Sequence, residues 1–238
     1  MDVIDVVLPA HNEAGSIGAT LNEFHEVTTA AGLAVRYVVS EDGSSDGTAA
    51  VVQALAAALP ITLITAPMRK GYSRAVVDGL RATTADLVAC VDADGQCDPR
   101  DLIRLAQSLD GHDLIVGRRM HRADHWSRKV MSRAFRTVFS VFFSVPLHDP
   151  SSPYLLITRP ALDRVLASDP GILPQGFWWE FYARAVELGL SLSEIPVGHR
   201  ARSAGTTQVY RPTKVPRIAL VHLIGLIRLR RQLSARRP

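Results

Sequence analysis

The chain is poor in cysteine, in long apolar runs and in repetition. Its 238 residues hold two cysteines, Cys90 and Cys97. Two thiols build no disulfide framework, and their spacing fits no zinc motif. Cys90 lies inside a short apolar run, where a thiol behaves as a small core residue. No apolar stretch approaches the ~20 residues that span a bilayer. The opening Met1-Asp2-Val3-Ile4-Asp5 carries acids where a secretory leader has a basic segment. A cytoplasmic protein is therefore expected. No internal repeat or low-complexity linker interrupts the chain. Among the basic residues there is neither a nucleic-acid recognition module nor interleaved aromatics, so nucleic acid is not an expected partner.

What is present is an ordinary globular composition, 47% hydrophobic and 21% charged, with an uneven charge distribution. Residues 1–115 hold 7 Lys/Arg against 16 Asp/Glu; the remainder holds 20 against 7. An acidic half suits a metal, and a basic half suits phosphate or anionic lipid. The length allows one full domain, or one domain with a small appendage.

Apolar runs and amphipathic stretches alternate from residue 3 to about 109. Strands are expected over Val3–Leu8, Val35–Ser40, Ile61–Thr65 and Leu87–Val91, with helices between them. That order predicts a mostly parallel central sheet with helices on both faces. Further strands are expected over Asp113–Val116, Tyr154–Thr158 and Leu192–Val197. Arg122 to Leu147 reads better as helix than strand, although its periodicity leaves both open. Asp98-Pro99 has the form of a helix N-cap, Asp46 that of another, and Gly189 that of a C-terminal stop.

Acids gather where the strands end. Glu13 follows the first strand, Asp42 the second, and the pair Asp92 and Asp94 the fourth, with Gln96 two residues on. In a parallel sheet these ends share one edge, where ligands of open α/β sheets bind. Carboxylate and amide oxygens suit a hard divalent ion such as Mg²⁺ or Mn²⁺. The tail, Pro216 to Pro238, joins Ile218, Leu220, Val221, Leu223, Ile224 and Ile227 to a run of arginines. Two readings fit it: an interfacial helix whose arginines reach lipid phosphates, or a helix docked on the core or in a dimer.

Taken together, Pro9-Ala10-His11-Asn12-Glu13, Glu41-Asp42-Gly43-Ser44-Ser45-Asp46-Gly47-Thr48, Arg69-Lys70-Gly71 and Asp92-Ala93-Asp94-Gly95-Gln96 resemble the family 2 nucleotide-sugar glycosyltransferases of GT-A fold. Gly117-Arg118-Arg119, Arg128 with Ser132, His148 to Ser152, Phe177 to Glu180 and Arg202 to Thr207 follow the order of the dolichyl- and polyprenyl-phosphate mannosyltransferases. His11 stands where that family usually has Tyr, and Thr207-Gln208 where it has Ser-Lys.

The resemblance implies a metal-dependent, inverting transfer of a hexose, mannose first, from a nucleoside-diphosphate sugar to a polyprenyl phosphate. It implies a catalytic domain over 1–212, with a nucleotide-sugar half at 1–117 and an acceptor half at 118–212, followed by the basic helix at 213–238. Pro9, His11, Glu13, Asp42 and Lys70 would face the nucleotide, with Asp42 at the base and Glu13 in the ribose loop. Asp92, Asp94 and Gln96 would hold Mg²⁺ or Mn²⁺ and the diphosphate. Arg119, Arg128, Ser132 and Arg202 would clamp phosphate in the acceptor half, since guanidinium meets phosphate oxygens in a fork. A hydroxyl acceptor would instead need a base, for which Glu180 and Asp149 are the candidates. A catalytically silent nucleotide-sugar-binding subunit is the rival from another class.

Overall fold

The computed structural model describes residues 3–120, 136–171, 173, 176–201 and 215–234. In chain order the elements are β1 (Ile4–Ala10), α1 (Ile17–Ala30), β2 (Val35–Glu41), α2 (Thr48–Leu55), β3 (Ile61–Ile64), α3 (Tyr72–Ala82) and β4 (Leu87–Cys90). Then come α4 (Pro99–Gln107), β5 (Leu114–Arg119), a helix α5 over 136–142, β6 (Leu155–Thr158), α6 (Arg159–Ala167), α7 (Phe177–Glu187), β7 (Leu192–Val197) and α8 (Val215–Ser234).

The seven strands form one sheet in the order β3-β2-β1-β4-β6-β5-β7. Only β6 runs antiparallel to its neighbours. Side chains alternate across the sheet and build a core on each face. Ile4, Val6, Leu8, Val39 and Ala89 pack under α1, α2 and α4, meeting Ile17, Leu21, Phe24, Val52 and Leu102. Val7, Val38, Val88, Cys90, Leu155 and Ile157 pack under α3, α6 and α7, meeting Val76, Leu80, Leu162 and Phe181. Residues of β1 are buried from end to end, as expected of a central strand covered on both faces. The expected α/β sheet and all seven expected strands are present.

The edges differ in detail. β1 runs through Pro9 to Ala10. Val7 turns its carbonyl toward β4, where Val91 N donates to it at 3.0 Å. Pro9, two residues on, faces the same side, beyond the last β1–β4 pair Val7↔Cys90, so its missing N–H breaks no ladder bond. The apolar stretch at 122–147 is helical over 136–142 among the described residues and non-helical from 143 to 147. Helix α2 stops at Leu55. Among the described residues, no helix is long and apolar enough to cross a membrane.

Helix α8 has two faces. Leu226, Leu229 and Leu233 are buried against Phe139, Phe143, Leu173 and Trp179. A Cβ at Gly225 would lie 2.4 Å from Leu173 Cδ2, so the helix sits hard against that residue. Arg230 pairs with Glu187 at 3.0 Å. Val221, Leu223, Ile224 and Ile227 stay exposed.

Asp5 ties the start of the sheet together. It is buried and accepts from Arg36 Nε at 2.8 Å, Arg36 Nη2 at 3.0 Å, Thr84 N at 2.7 Å and Ala85 N at 2.8 Å. Burial alone pushes its carboxyl up, but the Arg36 hydrogen bonds, the two amides and the Arg36 charge outweigh it and hold the group below its ordinary range. A depressed folded pKa stabilises the fold above the unfolded value of about 3.9, and that contribution fades as pH falls through the folded one. Asp5→Asn is expected to cost about 1–3 kcal/mol at pH 7. Denaturant titrations should show the gap to wild type closing below about pH 4.

Candidate active site

The carboxyl ends of β1, β2 and β4 meet at one edge, beside the point where strand order passes from β1 to β4. The exits of β1 and β2 are laced together. His11 Nδ1 lies 2.8 Å from Asp42 O. Asn12, in the left-handed region at φ 56°, accepts from Ser45 N at its Oδ1 and donates its own backbone N–H to Ser44 Oγ, both at 2.9 Å. Glu13 N donates to Thr48 Oγ1 at 2.9 Å, and Ala14 N to Asp46 Oδ2 at 3.0 Å. Asp46 also accepts from Thr48 N at 3.0 Å, so it bonds the first residue of α2 although Gly47 is the N-cap. Burial raises its pKa, but the Thr48 hydroxyl and the amides of Ala14 and Thr48 prevail and keep it low. Ser16 Oγ donates to Glu13 Oε2 at 2.7 Å and lies 3.1 Å from Ala93 O, joining this loop to the β4 exit.

Asp42, expected to read the base, anchors a neighbouring loop. It is buried, and its oxygens accept from Lys70 N at 2.6 Å and Gly71 N at 2.9 Å. The 66–71 loop is thereby pressed onto the end of β2. Gly43, at φ +63°, permits this approach; a Cβ there would lie 2.4 Å from Met68 C. Lys70, expected at the nucleotide, pairs its ammonium with Asp78. The structure does bring Pro9, His11, Glu13, Asp42 and Lys70 to the same edge, with Asp42 and Lys70 shaping its wall.

At the β4 exit, Asp92 Oδ1 accepts from Tyr72 OH at 3.1 Å. Asp94 is buried, and its Oδ1 accepts from Gln96 N at 3.1 Å across the turn at Gly95. Gln96, expected among the metal oxygens, commits its Nε2 to Arg200 O at 2.9 Å, and Arg200 N returns to Gln96 O at 2.9 Å. The Nε2 bond docks the loop on the segment after β7 and uses the amide nitrogen, not the Oε1 expected at the metal. Arg200 then pairs with Glu23 at 2.7 Å and Asp98 at 2.9 Å. Asp98 caps α4 through Arg100 N at 3.0 Å, as expected. The Arg100 side chain, outweighing burial together with that amide and Arg200, holds its carboxyl far below the usual range.

Among the described residues, no three His, Cys, Asp or Glu side chains converge as a ready metal cage. Two carboxylates alone still suit an ion that completes its shell with water and substrate phosphate, the habit of Mg²⁺. Burial first, and then the charge of Asp92, push both the Cys90 and Cys97 thiols well above their usual range.

Arg119 leaves the end of β5. Its Nε and Nη2 bind Asp149 at 2.7 and 3.0 Å, and Nη2 reaches Ser151 Oγ at 2.8 Å. The turn that carries Asp149 is itself held by Glu194, which accepts from His148 N at 2.9 Å and Asp149 N at 3.0 Å. Burial disfavours the Arg119 cation, but the Asp149 hydrogen bond and charge, with Asp92 behind them, keep it firmly protonated. Arg119, expected to clamp phosphate, is thus a cation paired with Asp149, and Asp149, a candidate base, is bonded to Arg119 and Ser151. Glu180, the other candidate base, is enclosed more fully. It is 0% exposed, accepts from Gly171 N at 2.9 Å and Leu173 N at 2.7 Å, and pairs with the equally buried Arg184 at 2.7 Å. A carboxylate so enclosed braces the interior. Arg128, Ser132 and Arg202 lie outside the described residues.

Residues 5–166 match the model of glycosyl transferase family 2. The chain belongs to that family. An uncharacterised glycosyltransferase of Mycobacterium bovis is 34% identical over 218 residues, 87% of this chain and 90% of the relative. A polyprenol monophosphomannose synthase of Mycolicibacterium smegmatis is 28% identical over 86% of this chain and 80% of its own length. Among solved structures, glucosyl-3-phosphoglycerate synthase from Mycobacterium tuberculosis, in complex with Mn²⁺, UDP and glucosyl-3-phosphoglycerate, superposes with a TM-score of 0.71 at 20% identity. That match covers 96% of this chain and 80% of the neighbour. It establishes the GT-A-like fold of this family 2 glycosyltransferase, an enzyme class of hexosyl transfer.

Three residues at the edge, Tyr72, Arg200 and Glu194, escaped the motifs. Tyr72 stands one position past Arg69-Lys70-Gly71, close enough to have been included. Trp178, inside the Phe177 to Glu180 motif, donates its Nε1 to Tyr72 OH at 2.9 Å. Arg200 and Glu194 act through chain segments far away in sequence, and no local signal points to them.

Proposed function

We propose that this family 2 transferase moves a hexose, mannose first, from a nucleoside-diphosphate sugar to a polyprenyl phosphate with inversion. The observation that carries it is Asp92 and Asp94 at the carboxyl end of β4, in the crevice beside β1. These two carboxylates would hold Mg²⁺ or Mn²⁺, which when bound neutralises the diphosphate leaving group. The neighbour that holds Mn²⁺ with UDP supports the ion, and the similarity to polyprenol monophosphomannose synthase supports the sugar and acceptor. The exits of β1 and β2, closed by Asp42 and the 66–71 loop, would form the nucleoside side.

The state of the carboxylates favours an anionic acceptor. A lipid phosphate attacks without a base, whereas a hydroxyl must lose its proton. Glu180 is sealed in the interior, and Asp149 is bonded to Arg119 and Ser151. Arg119, with Arg128, Ser132 and Arg202, would position the phosphate in the 118–212 half and screen its charge. The catalytic unit is then 1–212, with 213–238 as its basic helix.

The test is a Mn²⁺- or Mg²⁺-dependent turnover screen, crossing GDP- and UDP-sugars with a short polyprenyl phosphate and with hydroxyl acceptors. Glycolipid from the lipid phosphate alone supports the reading; product only from a hydroxyl acceptor overturns it.

The exposed Val221, Leu223, Ile224 and Ile227 of α8, with Arg228 and Arg231 also exposed, form the part we propose to rest on an anionic membrane surface at the cytoplasmic side. Ile224→Glu with Ile227→Glu should reduce co-sedimentation with phosphatidylglycerol vesicles about tenfold or more, at unchanged melting temperature. Retained binding would exclude that face.

A further inference from the structure

Asp92 has an unusual neighbour. The Tyr72 hydroxyl stands between it and the Trp178 indole, 3.1 Å from Asp92 Oδ1 and 2.9 Å from Trp178 Nε1. An indole N–H can only donate. The phenol oxygen must therefore accept from Trp178, which leaves its single proton for the carboxylate. The hydrogen-bond direction is fixed by chemistry: Trp178 to Tyr72 to Asp92.

Both ends of this relay are rigid. Tyr72 is the first residue of α3, whose Val76, Val77 and Leu80 are buried under the sheet. Gly79 brings that helix so near β1 that a Cβ would lie 2.6 Å from Val7 Cγ1. Trp178 is packed edge-on against Phe177 and Phe181, with ring centroids at 5.0 and 5.5 Å. The residues come from two halves of the chain, 106 positions apart. Tyr72 is 39% exposed and belongs to none of the apolar core clusters.

We infer that Tyr72, oriented by Trp178, is a positioning residue that fixes the Asp92 carboxylate for metal coordination. This rests on the reading of Asp92 as a metal ligand. A hydrogen bond from an outer partner sets the plane of a ligating carboxylate, and losing such partners typically weakens metal affinity about 10–100-fold.

The test is Mn²⁺ binding to the full chain, followed by electron paramagnetic resonance with UDP and, in a second series, GDP. Tyr72→Phe removes only the hydroxyl. It should weaken Mn²⁺ about tenfold or more without lowering the melting temperature. Trp178→Phe should weaken it in the same direction, and much less when Tyr72→Phe is already present. Mg²⁺ added with the same nucleotide should shift the Trp178 indole N–H resonance in the wild type and leave it in place in Tyr72→Phe. This readout holds even where Trp178→Phe fails to fold. Asp92→Asn separates the two levels. If it keeps Mn²⁺ affinity, the metal reading fails and takes this inference with it. If it loses Mn²⁺ while Tyr72→Phe binds as wild type, the metal reading stands and the positioning role is overturned.

Discussion

Asp94→Asn is expected to lower turnover by about 1000-fold while leaving the fold intact. The substitution keeps an oxygen for the Gln96 amide, which donates to Asp94 Oδ1 at 3.1 Å, so the turn at Gly95 should persist. What it removes is negative charge. In the proposed reaction that charge holds the divalent ion against the diphosphate, and such Lewis-acid help is worth several kcal/mol. At about 1.4 kcal/mol per decade, roughly 4 kcal/mol corresponds to three orders of magnitude. Initial rates with saturating Mn²⁺ and donor would measure it, with a melting curve as control. Donor affinity, followed by calorimetry without acceptor, should fall less than the rate. Full activity in Asp94→Asn would sink the metal assignment. Wild-type protein that binds nucleotide sugar and turns over none would favour the silent-subunit reading.

The fold was legible because its signals are local. Val, Ile and Leu runs of four to seven residues, separated by amphipathic stretches, state a parallel α/β sheet directly. Asp98-Pro99 and Gly189 marked helix ends through chemistry that acts within one turn, and the structure shows the Asp98 cap and Gly189 at φ 72°. The long stretch at 122–147 was harder. Its Val-Phe-Phe composition suits helix and strand alike, and burial by α7 and α8 decides where its side chains go.

Position at the site was legible, and engagement was not. Parallel topology puts every strand end on one edge, so Glu13, Asp42, Asp92 and Asp94 could be gathered there from spacing alone. Whether a carboxylate faces ligand or protein depends on partners far away in sequence. Asp42 is taken by Lys70 and Gly71, 28 and 29 residues on. Gln96 gives its Nε2 to Arg200 O, 104 residues on. Arg119 is taken by Asp149, 30 residues on. The residue types that fit substrate chemistry fit an internal partner equally well, so spacing alone shows none of these bonds. Tyr72 shows the converse. A tyrosine at a helix start announces nothing, and its meaning comes from Asp92 and Trp178 on two other elements.

Glu180 gives the sharpest separation between a structural and a catalytic carboxylate. Glu180→Ala is expected to destabilise the protein by about 3–5 kcal/mol, because it strands Arg184 as an uncompensated buried charge. Arg184 is 0% exposed and also donates to Ser168 O at 2.6 Å and to Gln232 of α8 at 2.8 Å. Two amides, Gly171 N and Leu173 N, lose their acceptor in the same change. For a chain of this size each kcal/mol moves the midpoint by about 2–4 °C, so a fall of roughly 6–20 °C should appear in a thermal melt. Detachment of α8 should accompany it, since Gln232 and Leu173 are both contacts of that network. Glu180→Gln keeps an acceptor and most of the shape, and should melt between Glu180→Ala and wild type. Assayed well below its midpoint, it should turn over within about threefold of wild type. A general base behaves in the opposite way: the glutamine variant would melt normally and lose about 100-fold or more in rate. The buried pair predicts stability lost and chemistry kept, and the two curves together decide between them.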